Sequence, residues 1–340
     1  MNKKIVALAV AAAFAIPAAA SAQVTLFGQV KYEVGLINDG DDINAVHSTL
    51  GTRIGIHGSE DLGGGLTGIF RFQGGLGGVN AGMSNTEWKM NEENWVGLRG
   101  GFGTVLIGRH DTAIKKTAGN QFRFFVDSQA EPSLAPGAAG QRAEGVHYTT
   151  PNIQGFTGYL TLEPVGNKLD TYVAVGAAYQ AGPFWIGGAV ESAPKQPGGV
   201  VAPEDDFDVL PSPFISGTVK NDIGPDQTNY QVGVKWNFGP GEIGFLWQAR
   251  NDGDDNIFLV PVRYNVTPNI SLRAAVKHVD PDDPEVDDYT NFGVGASYNF
   301  SRRTEAFAHV WSDDKAGQTT TNALGASDDV HFGLGVRHSF

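Results

Sequence analysis

Residues 330–340 read VHFGLGVRHSF. Val330, Phe332, Leu334 and Val336 fall on every second position, and Phe340 keeps the same beat. His331, Gly333, Gly335, Arg337 and Ser339 fill the gaps. A period of two marks a strand with one apolar and one polar face. Such a strand needs something for its apolar face to lie against.

The same beat recurs along the chain. VTLFGQVKYEVGL (24–36) sets Val24, Leu26, Val30, Tyr32, Val34 and Leu36 against Thr25, Gln29, Lys31 and Glu33. YQVGVKWNF (230–238), NISLRAAVK (269–277) and NFGVGASYNF (291–300) repeat it, with Lys235, Arg273 and Lys277 on the polar side. Segments of about ten residues alternating in this way, parted by turn residues, are the signature of a transmembrane β-barrel. A secreted β-sandwich, apolar inside and polar outside, alternates too.

Spacing favours the barrel. Brief turns at 59–66, 99–103, 150–155, 181–183, 239–242, 266–269 and 301–303 interleave with longer polar stretches around 37–47, 75–90, 112–141, 193–226, 251–255, 279–288 and 313–328. Short turns at one end and long loops at the other predict an antiparallel up-and-down barrel of sixteen strands, in one domain over residues 23–340. The apolar face then meets lipid, and the strand at 330–340 closes the barrel against that at 23–36, leaving no free edge. The aromatics Tyr32, Trp95, Phe102, Trp185, Trp236, Phe238, Trp247, Tyr298, Phe300, Trp311 and Phe340 are expected as interfacial girdles.

Composition narrows the function. Lys3 and Lys4, the apolar run Ile5–Ala20 and the small-x-small site Ala20-Ser21-Ala22 read as a secretory signal peptide over residues 1–22. No later stretch reaches the about 20 apolar residues of a membrane helix, and mean hydropathy is −0.18. There is no cysteine, hence no disulfide, thiolate nucleophile or cysteine-bound metal. The net charge of −13 argues against a nucleic-acid partner. No G-x-S-x-G, H-E-x-x-H or P-loop is present, so no enzyme is expected. No cofactor is expected either. The acidic runs NDGDD (38–42 and 251–255), PEDDFD (203–208), DPDDPEVDD (280–288) and SDD (312–314 and 327–329) read as solvated loop charge. A second reading gives them Mg²⁺ or Ca²⁺, hard cations that take carboxylate oxygens.

Three stretches carry a resemblance: TRIGIHGSEDLGGGLTGIFRFQ (52–73), NWVGLRGGFGTVLIGRH (94–110) and YTTPNIQGF (148–156). With the strand ending at Phe340, they resemble the Gram-negative general porins, trimeric 16-stranded diffusion channels of the outer membrane. The resemblance implies passive diffusion of small hydrophilic solutes and ions, with a solute-selective porin as the variant reading. It implies a homotrimer among outer-membrane lipid and lipopolysaccharide, and a terminal strand with Phe340 read by the outer-membrane assembly machinery. It also implies a long third loop, here 112–141, folded into the lumen to narrow it. Wall arginines Arg53, Arg109 and Arg142, with Arg71 beside them, would face loop carboxylates, for which Asp127 and Glu131 are the candidates. Arg109 shares parity with Val105 and Ile107, so only a bulge or the strand end brings it inward. Gln29 and Lys31 stand near the position of a pore lysine in some relatives. The resulting wall is less basic than theirs.

Overall fold

In the computed structural model the described residues are 23–38, 43–76, 79–80, 88–117, 119–125, 127–128, 130–131, 142–165, 170–193, 227–250, 255–281, 288–312 and 330–340. The expected signal peptide and most of the acidic runs lie outside them. The strands are β1 (Gln23–Asn38), β2 (Ile43–Ser48), β3 (Thr52–Gly63), β4 (Leu66–Leu76), β5 (Val79–Asn80), β6 (Trp88–Gly100), β7 (Gly103–Asp111), β8 (Arg142–Thr149) and β9 (Phe156–Val165). They continue as β10 (Asp170–Ala181), β11 (Phe184–Ala193), β12 (Gln227–Phe238), β13 (Gly241–Arg250), β14 (Asp255–Asn265), β15 (Ile270–Asp280), β16 (Tyr289–Asn299), β17 (Thr304–Ser312) and β18 (Val330–Ser339). Two short helices, α1 (Ala113–Thr117) and α2 (Gly119–Phe122), follow β7.

These eighteen segments make sixteen wall strands. β2 and β3 both pair with β1, on its second and first halves, so they are one strand interrupted at 49–51. β5 continues β4, because β5 pairs with β2 as β4 pairs with β3. Every neighbour pair is antiparallel, and β18 pairs back onto β1 from Gln29↔Ser339 to Leu36↔Phe332. The sheet is therefore one closed barrel, which excludes the two-layer sandwich. The expected loop at 37–47 is shorter than the sequence suggested, because β1 runs to Asn38 and β2 begins at Ile43.

Burial is inverted relative to a water-soluble fold. Val30, Tyr32, Leu334 and Val336 are about half exposed, whereas Lys31 and Glu33 between them are buried. Lys31 and Glu33 pair with each other at 3.0 Å, which offsets the cost of holding charge out of bulk water. A continuous exposed apolar band on a closed sheet suits lipid, where every backbone group must be bonded within the protein. Three of the expected girdle residues are exceptions. Trp185 and Trp311 are buried and Trp95 faces an interior cavity, because each falls on the inward parity of its strand.

Closure reaches the last residue. Phe340 N donates to Gly28 O at 3.0 Å and Gly28 N to Phe340 O at 3.2 Å. A Cβ on Gly28 would stand 2.5 Å from Cζ of Phe340, so the ring occupies the space beside the glycine across the seam.

Candidate functional site

The segment after β7 reaches inward-facing residues on most of the wall. Gln231 Nε2 on β12 donates to Ile114 O and Thr117 Oγ1, each at 2.5 Å. Lys235 Nζ donates to Gln121 Oε1 at 3.1 Å. Phe122 meets Trp185 edge-on at 5.8 Å and fills the space left by Gly233 and Gly244, whose Cβ atoms would stand 2.5 and 2.7 Å from its ring. Phe124 lies under the Arg263 guanidinium, and Phe125 meets His309 edge-on at 6.5 Å. Three aromatics within four residues thus dock on β11–β13, β14 and β17.

On the opposite wall the segment ends in charge. Asp127 Oδ2 is 2.6 Å from Arg53 Nη2 on β3, and Oδ1 is 2.5 Å from Arg123 Nη2 on the segment itself. The Asp127 carbonyl accepts from Lys31 Nζ. Asp127 takes the left-handed conformation, φ 59°, which aspartate tolerates better than most side chains. Gly51, at φ 81°, makes room. A Cβ there would stand 2.9 Å from that of Asp127, and Gly51 O accepts from Gln29 Nε2 at 2.5 Å. Burial opposes ionisation of Asp127, but Arg123, Arg53 and Lys31 outweigh it and hold the carboxyl well below the usual carboxylate range.

A cavity of about 320 Å³ opens beside this contact, lined by Arg53, Arg71, Gln73, Glu93, Trp95, His110, Asp111, Lys115, Asn120, Arg123, Asp127 and Arg142. Five cationic side chains and three carboxylates share it. Asp111 Oδ1 is 3.1 Å from Lys115 Nζ and 3.2 Å from Arg142 Nε. Glu93 Oε2 lies 2.6 Å from His110 Nδ1 and accepts from Trp95 Nε1 at 2.7 Å. Arg71 Nε donates to Gln73 Oε1 at 2.9 Å, and its guanidinium lies 4.5 Å over the Phe27 ring.

Arg53, Arg71, Arg142 and Asp127 from the sequence reading thus meet at one cavity. Gln29 and Lys31 adjoin it through Gly51 and Asp127. Glu131 is buried and is not among the residues that line the cavity. Arg109 is not among the lining residues. It stands in register with Asn94 and Glu144, two places after Ile107, which is 61% exposed on the lipid side.

Gly108 has φ 126°, the register of β7 runs on through it, and both His110 and Asp111 line the cavity at the strand's end. Strict parity could not assign that consecutive pair. Glu93, Trp95, Lys115 and Arg123 were also passed over. For Glu93 and Trp95 the signal existed, since both lie opposite in parity to Val96, which is 61% exposed.

The major outer membrane protein P.IB of Neisseria meningitidis serogroup B is 26% identical, over the whole of both chains. Its counterpart in Neisseria lactamica is 27% identical, again end to end. Among solved structures, an anion-selective porin from Comamonas acidovorans superposes with a TM-score of 0.69, covering 94% of this chain and all of that one at 21% identity. OmpF of Salmonella typhi, in complex with daunomycin, gives 0.69 at 12% identity, covering 94% and 98%. The solved structures bear out the fold, and the family model described as Gram-negative porin matches residues 7–335. An inside-out barrel with a charged interior, matched over nearly all its length, places the chain in the Gram-negative porin family, as an outer-membrane channel through which small hydrophilic solutes and ions diffuse passively.

Proposed function

We propose that the segment 112–131 narrows this channel, and that Arg53, Arg71 and Arg142 on the wall, with Asp127 on the segment, form the constriction that sorts solutes. The observation that carries this reading is the Asp127–Arg53 ion pair, which joins the segment after β7 to a strand across the barrel from the recess on β12 and β13 that holds Phe122. Charges that line a water-filled passage set a local field, and rings of charge decide which ions pass. Arginine stays ionised at all working pH, so its share of the field is constant. Arg109 has no part in this assignment. Its place in the register with Glu144 suits a role at the barrel wall.

In the membrane the chain works as a homotrimer among lipopolysaccharide, inserted by the outer-membrane assembly machinery through the strand ending at Phe340. The exposed apolar band and the family support this. No reaction is assigned to the protein.

The experiment is conductance of the detergent-extracted chain in a planar lipid bilayer under a salt gradient. Openings in steps of three, with a reversal potential that moves in Arg53→Ala and Arg142→Ala, are expected. Folded barrels that pass no current would overturn the channel constriction.

A further inference from the structure

The wall strand made of β2 and β3 carries one residue more than either neighbour. Ser48 pairs with Glu33 and Arg53 with Gln29, so five steps on this strand face four on β1. On its other side Ser48 pairs with Val79 and Thr52 with Leu76, four steps against three. One extra residue is a β-bulge, and a shift of one sends every later side chain to the opposite face. We propose that this bulge at 49–51 aims the constriction by turning Arg53 into the lumen, and that Thr52 is the positioning residue that holds it. The inference rests on the channel reading above and adds what places its wall arginine.

Exposure records the change of face. Before the bulge the even-numbered Val46 and Ser48 are buried and His47 is exposed. After it the even-numbered Ile54 and Ile56 are exposed, and the odd-numbered Arg53 reaches the cavity. A strand without the extra residue would carry Ile54 into the lumen and Arg53 into lipid.

Thr52 closes the gap that the bulge opens in the ladder. Lys31 falls between the register pairs Gln29↔Arg53 and Glu33↔Ser48. Thr52 Oγ1 accepts from Lys31 N at 3.0 Å and donates to Lys31 O at 2.9 Å, so one hydroxyl stands in for a strand partner. Both residues are buried, where backbone polar groups need such a partner. Thr52 N in turn donates to Thr49 O at 2.9 Å and tightens the bulge. Gly51, in the left-handed conformation, presents its carbonyl to Arg53 Nε at 3.3 Å. The Arg53 guanidinium is thus held at Nε by the bulge while Nη2 meets Asp127. Lys31, whose backbone Thr52 fixes, donates from Nζ to the Asp127 carbonyl. One hydroxyl therefore sets two of the side chains that grip Asp127.

The chain has no cysteine, so single cysteines report which way a residue faces. Arg53→Cys and Ile54→Cys, folded in lipid vesicles, are treated with a charged, water-soluble thiol reagent, and labelling is read by mass. Arg53→Cys should label and Ile54→Cys should be protected. Equal or reversed labelling would overturn the change of face, and this contrast is read with Thr52 intact. In planar bilayers under a KCl gradient, Thr52→Val should shift the reversal potential toward that of Arg53→Ala, at the folded fraction of wild type. Thr52→Ser should restore the wild-type value. Thr52→Val should shift it less in the Arg53→Ala background than alone, because the two act through one guanidinium. A folded Thr52→Val channel with the wild-type reversal potential would overturn the positioning role. So would a Thr52→Ser channel shifted as far as Thr52→Val. Wild-type barrels that fold and pass no current would instead defeat the channel reading, and the labelling contrast would still decide the bulge.

Discussion

Asp127 and Arg53 are 74 residues apart in sequence and 2.6 Å apart in space, and the contact ties the segment after β7 to β3. Arg123 shares the same carboxylate.

Removing that charge should loosen the tie without unfolding the barrel. Asp127→Asn forfeits two charge-assisted bonds, each worth roughly 1.5–3 kcal/mol when partly buried. It also leaves Arg53 and Arg123 facing each other uncompensated. Single-channel records should show noisier open states at unchanged thermal stability of the barrel. Records as quiet as wild type would argue that the segment is seated by its aromatics alone.

Acidification should leave the tie in place. The Asp127 carboxyl is held well below its ordinary value, against the pull of burial, by Arg123 and Arg53. A depressed carboxylate contributes above its unfolded pKa of about 3.9 and loses that contribution only as pH falls through the folded value. Between pH 7 and pH 4 the difference in reversal potential between wild type and Asp127→Asn should stay constant. A difference that shrinks toward pH 4 would contradict the assignment.

Phe122 fills a recess that two glycines leave in the wall. Phe122→Ala should cost about 3–5 kcal/mol of docking energy, as buried aromatic truncations do. Gly233→Leu should evict the ring by filling its place. Both are expected to raise single-channel conductance. A rise in one variant only would show that the ring, or the recess, matters for another reason.

The seam offers a test of closure. Gly28→Val puts methyl groups where the Phe340 ring lies and crowds the carbonyl of Arg53, 2.7 Å from even a Cβ. The folded fraction on gels run without heating should drop for Gly28→Val and for Phe340→Ala. An unchanged fraction in both would mean that the backbone bonds between Gly28 and Phe340 suffice.

Much of this was legible in the sequence, because a period of two fixes which residues share a face, and turn spacing fixes how many strands there are. Arg53 and Asp127 came from the resemblance, one as a wall position and one as an acid in the long third connection. Parity does not say which inward groups will meet. Arg123 stands on the same irregular segment as Asp127, where no period applies. His110 and Asp111 reach one cavity at the end of β7, where the two-residue alternation no longer holds. Trp95, Trp185 and Trp311 turn inward against expectation because interface and interior both accept an aromatic with one polar atom.

The aromatic run Phe122–Phe125 has a mechanical consequence. A soluble domain resists compression through its packed core, and a hollow cylinder has none. Lateral pressure in a bilayer would flatten such a wall into an oval. A segment pinned by Phe122 at β11–β13, by Phe125 at β17 and by Asp127 at β3 acts as a crossbeam. The part that sets the aperture is then also the part that keeps the tube round.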